Sequence, residues 1–146
     1  MNDTPTIHAS AVLIGHKAAL IRGAAGSGKS SLVWQLLTGA PPFGRLVADD
    51  RAVVEVVHGR LLVRPAPELA GLIEIRGLGV RRLPYEPVAV VGLVVDLAAA
   101  DAGRLPDRET TRTTLAGVTL PRLAVAAGQP ALPLIMAILR ELPPAD

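Results

Sequence analysis

Gly23-Ala24-Ala25-Gly26-Ser27-Gly28-Lys29-Ser30 sets Gly23 and Gly28 with four residues between them and closes on lysine and serine, the pattern of a phosphate-binding P-loop. A polyphosphate is held by several backbone N–H groups converging on it, and glycine lets the chain fold closely around such an anion. A helix that follows aims its free N–H groups and the positive end of its dipole at the phosphates. Lys29 then brings a mobile positive charge to the β- and γ-phosphate oxygens, and Ser30 a hydroxyl to Mg²⁺. The expected binding set is Gly23, Ala24, Ala25, Gly26, Ser27, Gly28, Lys29, Ser30 and the following Ser31, with ATP and Mg²⁺ as cofactors. In a chain of 146 residues, average residue usage gives this pattern a chance probability on the order of half a percent. The plain alternative is a glycine turn with no ligand.

The flanking segments supply the context such a loop needs. Residues 10–15 and 18–22 are short apolar runs divided by Gly15-His16-Lys17, which reads as two strands and a tight turn. Residues 30–38 carry Leu32, Trp34, Leu36 and Leu37 without a breaker and then meet Gly39 and Pro41-Pro42, a short helix with a stop. Trp34 is expected to pack that helix on a sheet. Residues 45–48 read as a strand, 52–57 and 60–64 as a β-hairpin turning at His58-Gly59, and 88–97 as a buried strand. Residues 115–125 read as one or two further strands interrupted by Gly117 and Pro121. Residues 130–142 read as a terminal helix, Pro133 being acceptable only in its first turn, and Pro143-Pro144 as a tail. The hairpins make a wholly parallel sheet improbable, so the expected class is α/β, a P-loop on a mixed β-sheet with flanking helices, in one domain over residues 1–146.

Composition narrows the function. Half of the residues are hydrophobic and 19% are charged, with a mean hydropathy of +0.42, so the chain is not a disordered polyelectrolyte. With no cysteine there is no thiolate metal site and no cysteine nucleophile. The net charge of +2 and three aromatics, Trp34, Phe43 and Tyr85, make a poor footprint for nucleic acid. The apolar stretches are broken by Asp96 and Arg140 before reaching the roughly 18 residues of a membrane span, and the start has no secretory pattern. A cytoplasmic protein without nucleic-acid or membrane partners is expected.

Leu46-Val47-Ala48-Asp49-Asp50 places two acids at the end of an apolar strand, one short helix beyond Lys29. An acid so placed in a P-loop protein holds Mg²⁺, directly or through water. Two adjacent acids allow one to serve the metal and the other to accept a proton from an attacking hydroxyl. The alternative is a pair of turn residues, which aspartate favours for local reasons.

The loop, then Leu46 to Arg51, then Ile73-Glu74-Ile75-Arg76-Gly77-Leu78-Gly79-Val80, in that order, resemble the HPr kinase/phosphorylase family over most of the chain. Gly103-Arg104-Leu105 and Gly117-Val118-Thr119-Leu120-Pro121 add weaker likeness. The resemblance implies the fold of that family's C-terminal domain, phosphoenolpyruvate carboxykinase-like. It implies ATP- and Mg-dependent phosphorylation of a serine of the phosphocarrier HPr, reversible by phosphorolysis, in regulation of the phosphotransferase system, and assembly into hexamers. Carried over by motif, the catalytic residues would be Asp49 as base, Lys29 on the phosphates, His8 before the first strand and Arg76 at the transfer site. The metal residues would be Ser30, Asp50 and Glu74. Without the resemblance, Glu74 and Arg76 read as an exposed ion pair on one face of an extended segment, His8 as a solvated end residue, and Arg81-Arg82 as a solvated pair or a contact for HPr or phosphate. His16 and His58 read as turn residues.

The departures from the family pattern are specific. Ser31 stands where the family commonly has glutamate, and residues 126–130 lack the basic loop that precedes the family's last helix. With those phosphate-binding cations missing, the forward kinase reaction is favoured over phosphorolysis. So few residues precede His8 that a catalytic domain alone is expected. The rivals are a small-molecule kinase of the shikimate type and a nucleotide-binding regulatory module without turnover.

Overall fold

The computed structural model describes residues 5–39 and 44–139. The Pro41-Pro42 helix stop, Phe43, the end of the last helix beyond Leu139 and the proline tail lie outside the described residues.

Among the described residues, ten strands and two α-helices follow along the chain: β1 Ala9–Ile14, β2 Lys17–Arg22, α1 Lys29–Thr38, β3 Gly44–Ala48, β4 Ala52–Val57, β5 Arg60–Pro65, β6 Leu72–Ile75, β7 Gly79–Arg82, β8 Ala89–Asp96, β9 Arg112–Leu115, β10 Val118–Ala124 and α2 Leu132–Leu139. The main sheet has the order β3-β1-β2-β8-β10-β9. It is mixed: β2 and β10 run parallel to β8, while β1 is antiparallel to both β2 and β3, and β9 to β10. The hairpin β4–β5 joins through β5, antiparallel to the first residues of β8. β6 and β7 form a separate two-stranded sheet.

Both faces of the central strands are buried, which is why they read as continuous apolar runs rather than alternating ones. Strand periodicity then divides the core in two. Ile14, Ala19, Ile21, Leu93 and Val95 face α1 and α2, where they meet Leu32, Val33, Leu36 and Ile135. Ala18, Leu20, Val91 and Val94 face the other way, onto Leu61 and Val63 of β5 and Leu120 of β10. Trp34 is 37% exposed, so the expectation that it seals the helix to the sheet is corrected. The aliphatic residues Leu32, Val33 and Leu36, three and four apart, take that face.

Pro121 lies inside β10 rather than ending a strand. Arg122 donates its N–H toward Thr111 on the β9 side, so the donor-free nitrogen of Pro121 faces β8, where pairing begins only at Arg122. Pro133 falls in the first turn of α2. His16 and His58 sit in the turns expected of them. Residues 73–80 are not one extended segment: Leu78 N–H donates to Ile75 O (2.9 Å), and the chain reverses with Gly77 and Gly79 at φ 91 and 89. Because both are in the left-handed region, only glycine makes this turn without strain.

Candidate functional site

The parallel strands β2 and β8 end side by side, and the glycine loop leaves from that end into α1. Gly26 (φ 83) and Gly28 (φ 100) occupy backbone conformations that side chains resist. A Cβ on Gly23 would collide with the hydroxyl of Ser27. No side chain caps the start of α1, and its first turn carries no acid, so its N-terminal amides keep their positive character. Ser27 Oγ is the one buried side-chain polar atom among the described residues that has no hydrogen-bond partner. An orphaned hydroxyl of this kind costs about 1–3 kcal/mol. A glycine-lined cradle with an unclaimed donor at a helix N-terminus has the chemistry to take an anion.

Lys29 is 6% exposed. Its Nζ donates to Gly23 O (2.8 Å) and lies 4.0 Å from Asp50 Oδ1. The lysine therefore spans the gap between the first residue of the loop and the carboxylates.

Those carboxylates arrive on β3. Because β3 pairs antiparallel with β1, with Ala48 opposite Ala11, its C-terminal end comes beside the start of β1, where Ser10 and His8 stand. Asp49 is buried. It accepts hydrogen bonds from Ser10 Oγ (3.0 Å), Ser30 Oγ (3.3 Å) and the amide of Glu74 (3.1 Å). Asp50 is exposed and turns into the left-handed region at φ 70, a conformation aspartate tolerates better than most residues. Its Oδ1 lies 2.5 Å from His8 Nε2, and its N–H donates to Ser10 Oγ (2.9 Å).

His8, Lys29, Ser30, Asp49 and Asp50 thus converge at one mouth of the sheet. Glu74 reaches the cluster through its backbone, while its side chain is exposed. Arg76 occupies the β6–β7 turn and, among the described residues, contacts none of the acids. The expected exposed ion pair between Glu74 and Arg76 is absent among the described residues. Ser31 is exposed on the first turn of α1.

Sequence reading overlooked Ser10. Fully buried, it bonds to both adjacent acids. The available signal was a lone serine in an apolar strand, since a buried hydroxyl requires partners.

A second polar group lies behind the loop. Asp96, at the end of β8, receives Arg22 Nε and Nη2 (2.6 and 2.8 Å) and Arg122 Nε (2.6 Å), and Arg122 continues to Asp101. Burial works to raise the Asp96 carboxyl. The hydrogen bonds and charges of the two arginines outweigh it, and the group lies below the ordinary aspartate value. The bond to Arg122 likewise holds exposed Asp101 low, and the paired carboxylates push the guanidinium of Arg122 up. Arg22 immediately precedes Gly23, and Leu97 N–H donates to Arg22 O (2.9 Å), so this network clamps the strand end from which the loop departs.

Among the described residues, no three His, Asp or Glu side chains close a metal cage. The oxygen donors present, the Ser30 hydroxyl with Asp49 and Asp50, suit a hard divalent cation that keeps several ligand positions for water and phosphate, as Mg²⁺ does.

Compared with solved structures, the chain is similar to the Hpr(Ser) kinase/phosphatase from Coxiella burnetii, with a TM-score of 0.74 and 24% identity over 94% of this chain and 89% of that one. The chain has the fold of that enzyme. The superposition takes in nearly the whole of both chains, so the likeness extends to the mixed sheet and not just to one strand–loop–helix unit. No protein-family model and no curated protein sequence matches the chain. Among the described residues no helix is long and apolar enough to cross a membrane.

Proposed function

We propose that this chain is a single catalytic domain that transfers the γ-phosphoryl group of ATP, with Mg²⁺, to a serine of an HPr-like phosphocarrier protein, and that it works as a homo-oligomer. The observation that carries the reading is the convergence of Lys29, Ser30, Asp49, Asp50 and His8 around a glycine loop whose Ser27 hydroxyl has no partner among the described residues. The fold shared with an Hpr(Ser) kinase/phosphatase supports this choice of substrate class.

In this reading the loop amides, Ser27 and Lys29 bind the β- and γ-phosphates, and preorganised donors of this kind usually supply the largest catalytic contribution. Ser30 and Asp49 would hold Mg²⁺, which when bound neutralises developing charge on the phosphates. The family resemblance implied Asp49 as base and Asp50 at the metal, while the residues alone left the two roles open. The geometry favours the exchange: Asp49 is buried, with its oxygens on Ser10, Ser30 and the Glu74 amide. Asp50 is exposed, is oriented by His8, and stands within reach of Lys29. Asp50 accepts the proton of the incoming serine, and His8 fixes the carboxylate and shares the charge. Glu74 supports Asp49 through its amide.

Labelled ATP incubated with HPr and Mg²⁺ tests the reading. Asp50→Asn should retain nucleotide binding and lose transfer by about 10²–10⁴-fold, the usual contribution of a general base. Wild-type transfer in Asp50→Asn would move the base back to Asp49. Nucleotide binding without label on HPr would support a regulatory module, and label on a metabolite alone a small-molecule kinase.

A further inference from the structure

The end of the main sheet away from the phosphate loop carries features that neither the fold nor the chemistry above consumes. β2 starts there at Lys17 and hands over to the loop after Arg22, a span of about 20 Å for a strand at about 3.3 Å per residue. Between the β1–β2 turn, the middle of β8 and α2 lies a cavity of about 350 Å³, within the range of small-molecule sites and far short of a protein interface. Ile14, Ala19, Leu93, Ile135, Ile138 and Leu139 wall it, while His16 and Lys17, both exposed, stand at its rim. Among the described residues no acid lines it, and neither His16 nor Lys17 has an acidic partner.

Two features of the backbone shape this cavity. The β2–β8 ladder slips beside it: Ala18 pairs with Val91 and Ala19 with Leu93, which leaves Gly92 without a partner. A bulge of this kind re-aims the side chains around it. A Cβ on Gly92 would lie 2.7 Å from Cδ of Lys17, so the bare glycine is what lets the lysine stem lie across β8 at the cavity. The second feature is α2. Leu132–Leu139 includes no polar side chain, yet Ile135 alone of its residues is buried and Ile138 is 42% exposed. A helix apolar on every face is ordinarily covered on every face.

We propose that this cavity binds a small amphipathic carboxylate, its hydrocarbon body against Leu93, Ile135 and Ile138 and its anionic head at Lys17 and His16. The walls offer no hydrogen-bonding side chain, so a sugar or a nucleobase would bury polar groups without partners. A cation would be repelled by Lys17. A carboxylate on an apolar chain suits both the walls and the rim. The inference goes beyond the phosphoryl-transfer reading and stands without it.

Octanoate titrated into the full chain tests it, with octan-1-ol as the uncharged match. Calorimetry gives the affinities, isoleucine Cδ1 methyl NMR signals give the place, and light scattering gives the molar mass. The expected result is saturable octanoate binding below about 1 mM, with the Ile135 and Ile138 signals shifting and that of Ile7, on the opposite face of the sheet, fixed. Octan-1-ol should bind about tenfold more weakly, and Lys17→Glu should weaken octanoate by about the same factor. Ile138→Asp, which sets a like charge in the apolar wall, should remove saturable binding. Failure of the wild type to bind octanoate, equal affinity for octanoate and octan-1-ol, shifts confined to other isoleucines, or wild-type affinity in either variant overturns the proposal. So does a fall in molar mass as octanoate binds, which marks the cavity as a contact with a second copy.

Discussion

Ser10 shows how one hydroxyl holds a catalytic arrangement in register. It donates to Asp49 and accepts from the amide of Asp50, so adjacent carboxylates point apart, one inward to Ser30 and one outward to His8. Ser10→Ala leaves a buried carboxylate oxygen and a backbone amide each short of a partner, at a cost of about 1–3 kcal/mol. Thermal unfolding should show that loss, and turnover should fall while Mg-ATP still binds; unaltered stability and turnover would deny Ser10 this role. At this scale the sequence was legible where chemistry is local. Lys29, Ser30 and the acid pair could be named because a motif fixes their spacing. The distinction between Asp49 and Asp50 could not, because it depends on Ser10 and His8, some 40 residues earlier in the chain.

Among the elements, β2, β8 and β10 end in a shared ion network, and the loop hangs from its edge. Asp96 was read simply as the close of an apolar run. Its partners Arg22 and Arg122 are 74 and 26 residues away, distances across which no local pattern reports. Because the folded carboxyl lies below the ordinary value of 3.8, its contribution to stability is present in full above that pH and fades as pH falls through the lower folded value. Asp96→Asn should therefore destabilise the protein at neutral pH, by about 2–3 kcal/mol for a partly buried pair broken on one side. It should also flatten the acid limb of the stability profile below about pH 4. Denaturant midpoints across that range check both, and parallel acid limbs in the two proteins would refute the linkage. The β6–β7 hairpin escaped sequence reading for a different reason. Its strands are four residues long, too short for periodicity to register, and the turn rests on the positive φ of Gly77 and Gly79.

The whole molecule is a mixed sheet with helices on one face and the β4–β5 hairpin on the other. The mixed sheet and its flanking helices were readable, because long valine- and leucine-rich runs bounded by glycine and proline leave few alternatives; which face each covers was not. Which side chains face which layer was not, as Trp34 shows. Leu20, fully buried between β2 and the β4–β5 hairpin, should cost about 2–5 kcal/mol on truncation to alanine. Trp34→Ala should cost far less than a buried tryptophan, because much of the ring is already in water. Chemical denaturation compares the two, and equal losses would contradict the assigned core. Titration of Mg-ATP into the protein by calorimetry probes the account at its base. Saturable binding below about 1 mM, the upper end of ordinary nucleotide KM values, lost in Lys29→Ala, is the predicted result. No heat from the wild-type protein at that concentration, or equal binding by Lys29→Ala, would contradict it.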